Sequence, residues 1–346
     1  MRLPSRSLDR GMKDVAIVGL PGAGSSTVFT ALTSLEGAAP GKSHQAVVPV
    51  PDERVDRLTE LHTSRKAVFT QLRFVESSGM VRRGSRGVGS LSAELLGHLR
   101  TADALLLVAR ALGPDADPVS EFAELTLELI YADLEIVSAK ADRERKAARD
   151  ETAKRAVAIL DRARELLEAG TPLRERSWDD LERATFQGME LLTLKPFVAI
   201  TNTDEDGLGK PSPEGMIPVA AALEAEVAGM DQAEASELLA SFGLTERALP
   251  RVIRAIYEQL DLITFLTAGE KESRAWEVHR GATAPQAAGV IHSDFERGFI
   301  RAEVVAYDAL VEAGSWNAAK GKGLVRQEGK SYLVQEGDVV EFRFAV

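Results

Sequence analysis

The chain has 346 residues, no cysteine and a formal net charge of −11, which excludes disulfides, thiolate metal sites and a cysteine nucleophile and argues against broad charge-driven affinity for nucleic acid. Hydrophobic residues make up 45% and charged residues 27%, the balance of a globular protein long enough for two or three domains, and no apolar run approaches the roughly 20 residues that cross a bilayer. These totals fit a reducing, cytoplasmic compartment, and the expectation is a monomer with neither DNA nor a membrane as partner.

Residues 1–11 are polar and basic with no apolar stretch behind them, so they are no secretory signal. A second methionine, Met12, stands just before the first strand, and the leader reads as a disordered tail or as the product of an upstream start. Asp14–Val18 is a short apolar run that ends in a glycine-rich turn, and Ser26–Leu32 follows as a helix. Val68, Thr70, Leu72 and Phe74 alternate as in a half-buried strand, whereas Ala104–Ala109 and Phe197–Ile200 are continuously apolar, as in central strands of a parallel sheet covered on both faces. Strands interleaved with helices, the first leading into a phosphate loop, make the fold class α/β, a doubly wound P-loop domain.

Between Pro118 and Lys195 the period changes. Leu127, Ile130, Leu134, Val137 and Ala141 recur every three or four residues, and Ala156, Ile159, Leu160, Ala163 and Leu167 form a second set that Gly170-Thr-Pro172 terminates. The pattern predicts an antiparallel helical hairpin inserted in the α/β domain, either a solvated coiled coil or a binding arm. Near the end, Ile300, Ala302 and Val304 share one face of a strand, Phe342, Phe344 and Val346 alternate in another, and turns fall at Gly329 and Gly337. The expected domains are 12–115 with 195–268, the insertion 116–194, and a small α+β module 269–346.

The chemistry lies in Gly19-Leu-Pro21-Gly22-Ala23-Gly24-Ser25-Ser26-Thr27. Glycines in such a loop let successive backbone N–H groups face a phosphate, and the helix that follows adds its partial positive charge. A lysine normally follows the last glycine and reaches the β- and γ-phosphates, and the next Ser or Thr ligates Mg²⁺. Here the lysine position is Ser25, while Ser26 remains as a metal ligand. Glu76-Ser-Ser-Gly79 stands where such proteins place an Asp-x-x-Gly turn, which makes Glu76 the second candidate Mg²⁺ residue. Asn202-Thr-Asp-Glu205 and Pro218–Glu224 follow apolar strands, where base-contacting loops lie, and nominate Asn202, Glu205, Ala220 and Ala221.

Gly19-Leu-Pro21, Val48-Pro-Val-Pro-Asp52, Ala284–His292, Phe295–Arg301 and Gln335–Phe344 together resemble the YchF family of Obg-like ATPases, from Met12 to Val346. The resemblance implies a G domain of the P-loop GTPase superfamily, a coiled-coil insertion and a C-terminal TGS domain of β-grasp fold. It also implies a nucleotide with Mg²⁺ as cofactor, ATP preferred to GTP through Asn202 and Glu205, and association with the ribosome or ribosomal RNA. Against the family pattern, Ser25 replaces the loop lysine and Glu76 the turn aspartate. The segment Thr33–Val48 is short and lacks the Thr-Ile-Glu-Pro stretch that supplies the first switch threonine, for which Ser43 is a poor substitute. Leu107 stands in place of a histidine suspected of a catalytic role, and Met80 fits the family's apolar residue after the turn.

The expectation is therefore nucleotide binding, of ATP or GTP, with weak or lost hydrolysis and no assignable catalytic residue. The rivals are a nucleotide-free scaffold for RNA or ribosome contacts and an ATPase that takes its missing charge from a partner or a monovalent ion. Two basic regions remain. Arg82, Arg83 and Arg86 sit in a glycine-rich stretch and read as phosphate contacts or as a solvated loop, and Lys140, Arg143, Arg145, Lys146, Arg149, Lys154 and Arg155 cluster toward the hairpin tip among acids. The five histidines, at 44, 62, 98, 279 and 292, show no metal-ligand spacing, so no zinc site is expected.

Overall fold

The computed structural model describes residues 11–34, 39–40, 44–76, 80–82, 89–208 and 210–345. Among them, one compact unit takes 13–48 and 73–252, and a second takes 11–12, 49–72 and 253–346.

The first unit is an α/β fold. Its seven-stranded sheet runs in the order Met216–Val219, Phe197–Asn202, Ala104–Arg110, Lys13–Gly19, Gln71–Glu76, Gln45–Pro49, Ala39–Pro40. The first four pair in parallel, and the last two are antiparallel. Val15–Val18 and Ala104–Ala109 are fully buried, so apolar residues occupy both faces of these strands and no alternation is seen. Arg73 grips Asp14 with two bonds of 2.6 and 2.7 Å, and the Asp14 N–H donates to Asp103 Oδ2 at 2.9 Å. Charged groups thereby fix the start of the strand whose far end carries the phosphate loop.

The insertion consists of helices Pro118–Ala147 and Glu151–Glu168, capped at their N-termini by Asp117 and Asp150. It is no bare coiled coil. Leu125 and Leu129 pack into the sheet core with Leu95, Leu105 and Leu107, while Val137 and Ala141 meet Ile159, Leu160, Ala163 and Leu167 in a cluster completed by Leu173, Trp178 and Phe186. The segment after the hairpin thus supplies part of its core. Leu127, expected on the inner face, is 39% exposed, because burial on two sides shifts the apolar stripe toward Leu125 and Leu129. The fully buried Asp133 carboxylate accepts from Leu192 N–H (2.9 Å), Thr193 N–H (2.7 Å) and Thr193 Oγ1 (2.7 Å). Its pKa is raised, with burial the larger cause and these bonds opposing it.

The second unit carries a mixed six-stranded sheet in the order Arg326–Glu328, Phe299–Ala306, Asp338–Phe344, Leu262–Ala268, Ser273–His279, Ala67–Val68. Residues 49–72, expected within the phosphate-loop domain, join it. Ala67 and Val68 pair with Ser273 and Arg274, and helix Glu53–His62 buries Val55 and Leu58 against Leu266, Val305 and Leu310. Ala302 and Val304 are buried as expected, but Ile300 is 54% exposed. A register shift between Phe299 and Arg301 adds a residue to one strand and reverses which side chain faces the core.

Candidate nucleotide site

The strand Lys13–Gly19 delivers the chain into the glycine-rich loop, and helix Ser25–Thr33 leaves it. Gly22 and Gly24 both take positive φ, 92° and 89°. At Gly24 the need is double, because an added Cβ would also lie 2.0 Å from Asn202 Nδ2. The loop closes on itself through Ala23 N–H to Leu20 O (2.9 Å), and the helix begins with Val28 N–H to Gly24 O (3.0 Å). The N–H groups of Ser25, Ser26 and Thr27 therefore have no helical acceptor, and they cap the positive end of the helix dipole. Ser26 and Thr27 are exposed. This arrangement fits a phosphate through main-chain atoms alone.

Ser25 contributes no charge and no visible bond. Its hydroxyl is buried without a partner, and an ideal Cβ on Gly19 would sit 2.8 Å from it and 2.6 Å from Val108 O. The side chain is tucked toward the strand. A lysine here would run its apolar stem through that space and carry its ammonium beyond it; a hydroxyl is left with nothing to bond.

At the metal position Ser26 Oγ donates to Glu76 Oε1. Glu76 Oε2 in turn lies 3.1 Å from His44 Nδ1. Ser26, the last residue of Gln71–Glu76 and the residue before Gln45–Pro49 thus meet in one chain of contacts. The two oxygen donors fit Mg²⁺, which takes few protein ligands and fills the rest of its octahedron with water and phosphate oxygens. The longer Glu76 side chain reaches Ser26 here. Ser43 and Gly79 lie outside the described residues.

Asn202 ends its strand buried and donates from Nδ2 to Ala23 O at 3.0 Å. Its amide is thus spent partly on holding the phosphate loop, across 179 residues of sequence. Glu205 opens a short turn of 3₁₀-helix and is half-buried. Ala220 and Ala221 are buried at the start of helix Ala221–Val227, after Thr203 N–H has bonded Val219 O (2.9 Å). The loops after Asn202 and after Val219 are therefore neighbours at one end of the sheet, beside the phosphate loop. Leu107, where the resemblance leads one to expect a histidine, is buried in the core cluster with Leu95 and Leu125.

Of the basic groups near the hairpin tip, three are engaged locally. Lys140 Nζ donates to Thr185 O, Arg145 bonds Asp142 and Asp161, and Lys154 bonds Glu151. Arg143, Lys146, Arg149 and Arg155 are exposed with no partner among the described residues. Arg82 pairs through its backbone with Gly89 in a small ribbon; its side chain, Arg83 and Arg86 lie outside the described residues. The Glu76–His44 contact is the feature that sequence reasoning missed. Its two residues are 32 positions apart, and no local motif links them.

Residues 262–345 match the YchF-GTPase_C family model, described as a protein of unknown function. The chain is 38% identical over 361 residues to the ribosome-binding ATPase YchF of Bacillus subtilis (strain 168), covering 95% of this chain and 98% of that protein. It is 37% identical to the ribosome-binding ATPase YchF of Escherichia coli O157:H7, with the same coverage. The Obg-like ATPase 1 of Oryza sativa subsp. japonica is 34% identical, over 96% of this chain and 92% of the rice protein. Among solved structures, the Schizosaccharomyces pombe YchF GTPase superposes with a TM-score of 0.87 at 29% identity, covering 99% of this chain and all of that one. A loop that can cradle phosphate, a buried asparagine tied to it, and likeness over nearly the full length agree: the chain belongs to the YchF family of Obg-like ATPases.

Proposed function

We propose that this protein binds a purine nucleoside triphosphate, ATP or GTP, with a divalent cation, hydrolyses it weakly or not at all, and works in association with the ribosome. The observation that carries the reading is the contrast inside the loop. Its main-chain cradle is complete, with Gly22 and Gly24 in the left-handed region and Asn202 holding Ala23, while the lysine position is a buried, unpartnered serine hydroxyl.

Binding in this reading is the work of N–H groups at the start of helix Ser25–Thr33, and orientation is the work of Asn202, Glu205, Ala220 and Ala221 around the base. A bound divalent cation would neutralise charge on the phosphate oxygens, held by Ser26 and Glu76. What is missing is a fixed cation aimed at the terminal phosphate. Preorganised charge of this kind is commonly the largest catalytic term, on the order of 3 kcal/mol for a single donor. Relatives named as ribosome-binding ATPases support the ribosomal association, and the four unpaired cations near the hairpin tip supply phosphate-contacting groups for it.

The contact chain Ser26–Glu76–His44 favours a second reading, a G domain that stays nucleotide-free as a scaffold, because the metal-binding carboxylate is already engaged on both oxygens. Calorimetric titration with ATP, GTP and ADP, with and without Mg²⁺, separates the two. Micromolar or tighter binding supports the first reading, and absence of heat with every nucleotide supports the scaffold. Co-sedimentation with ribosomes tests the partner: no association in any nucleotide state removes it.

A further inference from the structure

The His44–Glu76 contact assigns His44 a role that nothing in the glycine-rich motif foretells. We propose that His44 is a third protein ligand to the nucleotide-bound divalent cation and turns the site toward an imidazole-accepting first-row ion such as Mn²⁺ rather than Mg²⁺. The inference rests on the nucleotide reading above.

Three observations carry it. The first is distance. His44 Nδ1 and Glu76 Oε2 are 3.1 Å apart, and two donors each about 2.1 Å from one ion at right angles lie about 3.0 Å apart. The pair is therefore spaced as neighbouring ligands of a single cation. The other Glu76 oxygen accepts from Ser26 Oγ, the hydroxyl that the phosphate loop offers to a metal. One carboxylate thus joins an oxygen donor on the helix side to a nitrogen donor on the strand side.

The second observation is backbone. His44 stands at φ 52°, in the left-handed region that non-glycine residues seldom enter. It is held there by the Glu76 N–H, which donates to His44 O at 2.8 Å. Main chain and side chain of His44 both turn to Glu76. Sparsely populated backbone held in place by its surroundings clusters at functional sites.

The third is access. The His44 side chain is 67% exposed while that of Glu76 is 10% exposed. The carboxylate is sheltered, and the imidazole that contacts it stands at the solvent side, where an ion entering with its nucleotide can reach both. Among the described residues no group of three His, Cys, Asp or Glu is placed to hold a metal alone, so phosphate oxygens must complete the set. The chemistry then selects the ion. Mg²⁺ prefers all-oxygen octahedra, whereas imidazole nitrogen is a good ligand for first-row transition ions.

The test uses the full-length protein, its His44→Ala and His44→Gln variants, and ADP, which is not consumed. Mn²⁺ binding in the presence of ADP is followed by loss of the free-ion electron paramagnetic resonance signal, and ADP affinity is measured calorimetrically in Mg²⁺ and in Mn²⁺. The expected result is ADP binding at least about tenfold tighter with Mn²⁺ than with Mg²⁺, and a ratio that collapses severalfold or more in both variants, whose thermal unfolding matches the parent's. An unchanged ratio in the variants overturns the inference and leaves the nucleotide reading standing. If ADP binds with neither ion, the nucleotide reading falls and the inference falls with it. With ADP present, Mn²⁺ held by the parent and released by both variants upholds the ligand role, and Mn²⁺ held equally by all three overturns it.

Discussion

On the Asn202 side of the site, contacts run through main-chain atoms and one buried amide; on the Ser25–Glu76 side they run through side chains, and those side chains depart from the family pattern. The difference teaches which half of a nucleotide site tolerates substitution. A cradle of N–H groups depends on glycines that permit positive φ and on the asparagine that holds the loop, and all of these remain. In the reading proposed above, catalytic charge depends on single side chains, and a serine at the lysine position withholds it without disturbing the loop.

Four substitutions probe this contrast, taken from the largest expected effect. Gly24→Val forces a β-branched residue to φ 89° with its Cβ 2.0 Å from Asn202 Nδ2, so nucleotide affinity should fall at least about a hundredfold in calorimetry. An unaffected affinity would mean that the loop is not the binding element. Ser25→Lys returns the missing cation and should raise ATP turnover by about tenfold to a hundredfold. Equal turnover would place the defect elsewhere, with the shortened first switch or Leu107.

Asn202→Ala leaves the Ala23 carbonyl without its donor. Stability should drop by about 1–2 kcal/mol in urea unfolding, and ATP and GTP should weaken equally, by about tenfold, if the residue acts through the loop. A loss confined to ATP or to GTP would instead point to direct base contact. Ser25→Ala deletes a buried hydroxyl that has no partner, and the effect should stay within about 1 kcal/mol, on the stabilising side. A clear destabilisation would show that the hydroxyl is bonded in solution.

The strands carrying the site were legible because a parallel sheet covered on both faces demands continuous apolar runs, as at Ala104–Ala109 and Phe197–Ile200. The loop was legible because its glycines answer to local geometry. The helical hairpin showed in its period, but the period misplaced Leu127, since a stripe serving both the sheet and a partner helix turns toward Leu125 and Leu129. Residues 49–72 were assigned to the wrong neighbour because the two-residue strand Ala67–Val68 takes its partner, Ser273–Arg274, from about 200 residues away, and no periodicity reports that. Ile300 was misplaced because a bulge leaves no mark in alternation. The His44–Glu76 contact was illegible for the same reason as the strand pairing: it exists only because His44 precedes one strand, Glu76 ends its neighbour in the sheet, and sequence spacing alone sets histidines at 44 and 62 apart from everything that could ligate a metal.

Whether the cradle is kept while hydrolysis is weak or lost can be read in one sample, by incubating the purified full-length protein with labelled ATP and Mg²⁺ and measuring bound and hydrolysed nucleotide together. ATP should stay on the protein and be recovered intact over many minutes. ADP accumulating steadily, dependent on Mg²⁺ and abolished by Ser26→Ala, would contradict it.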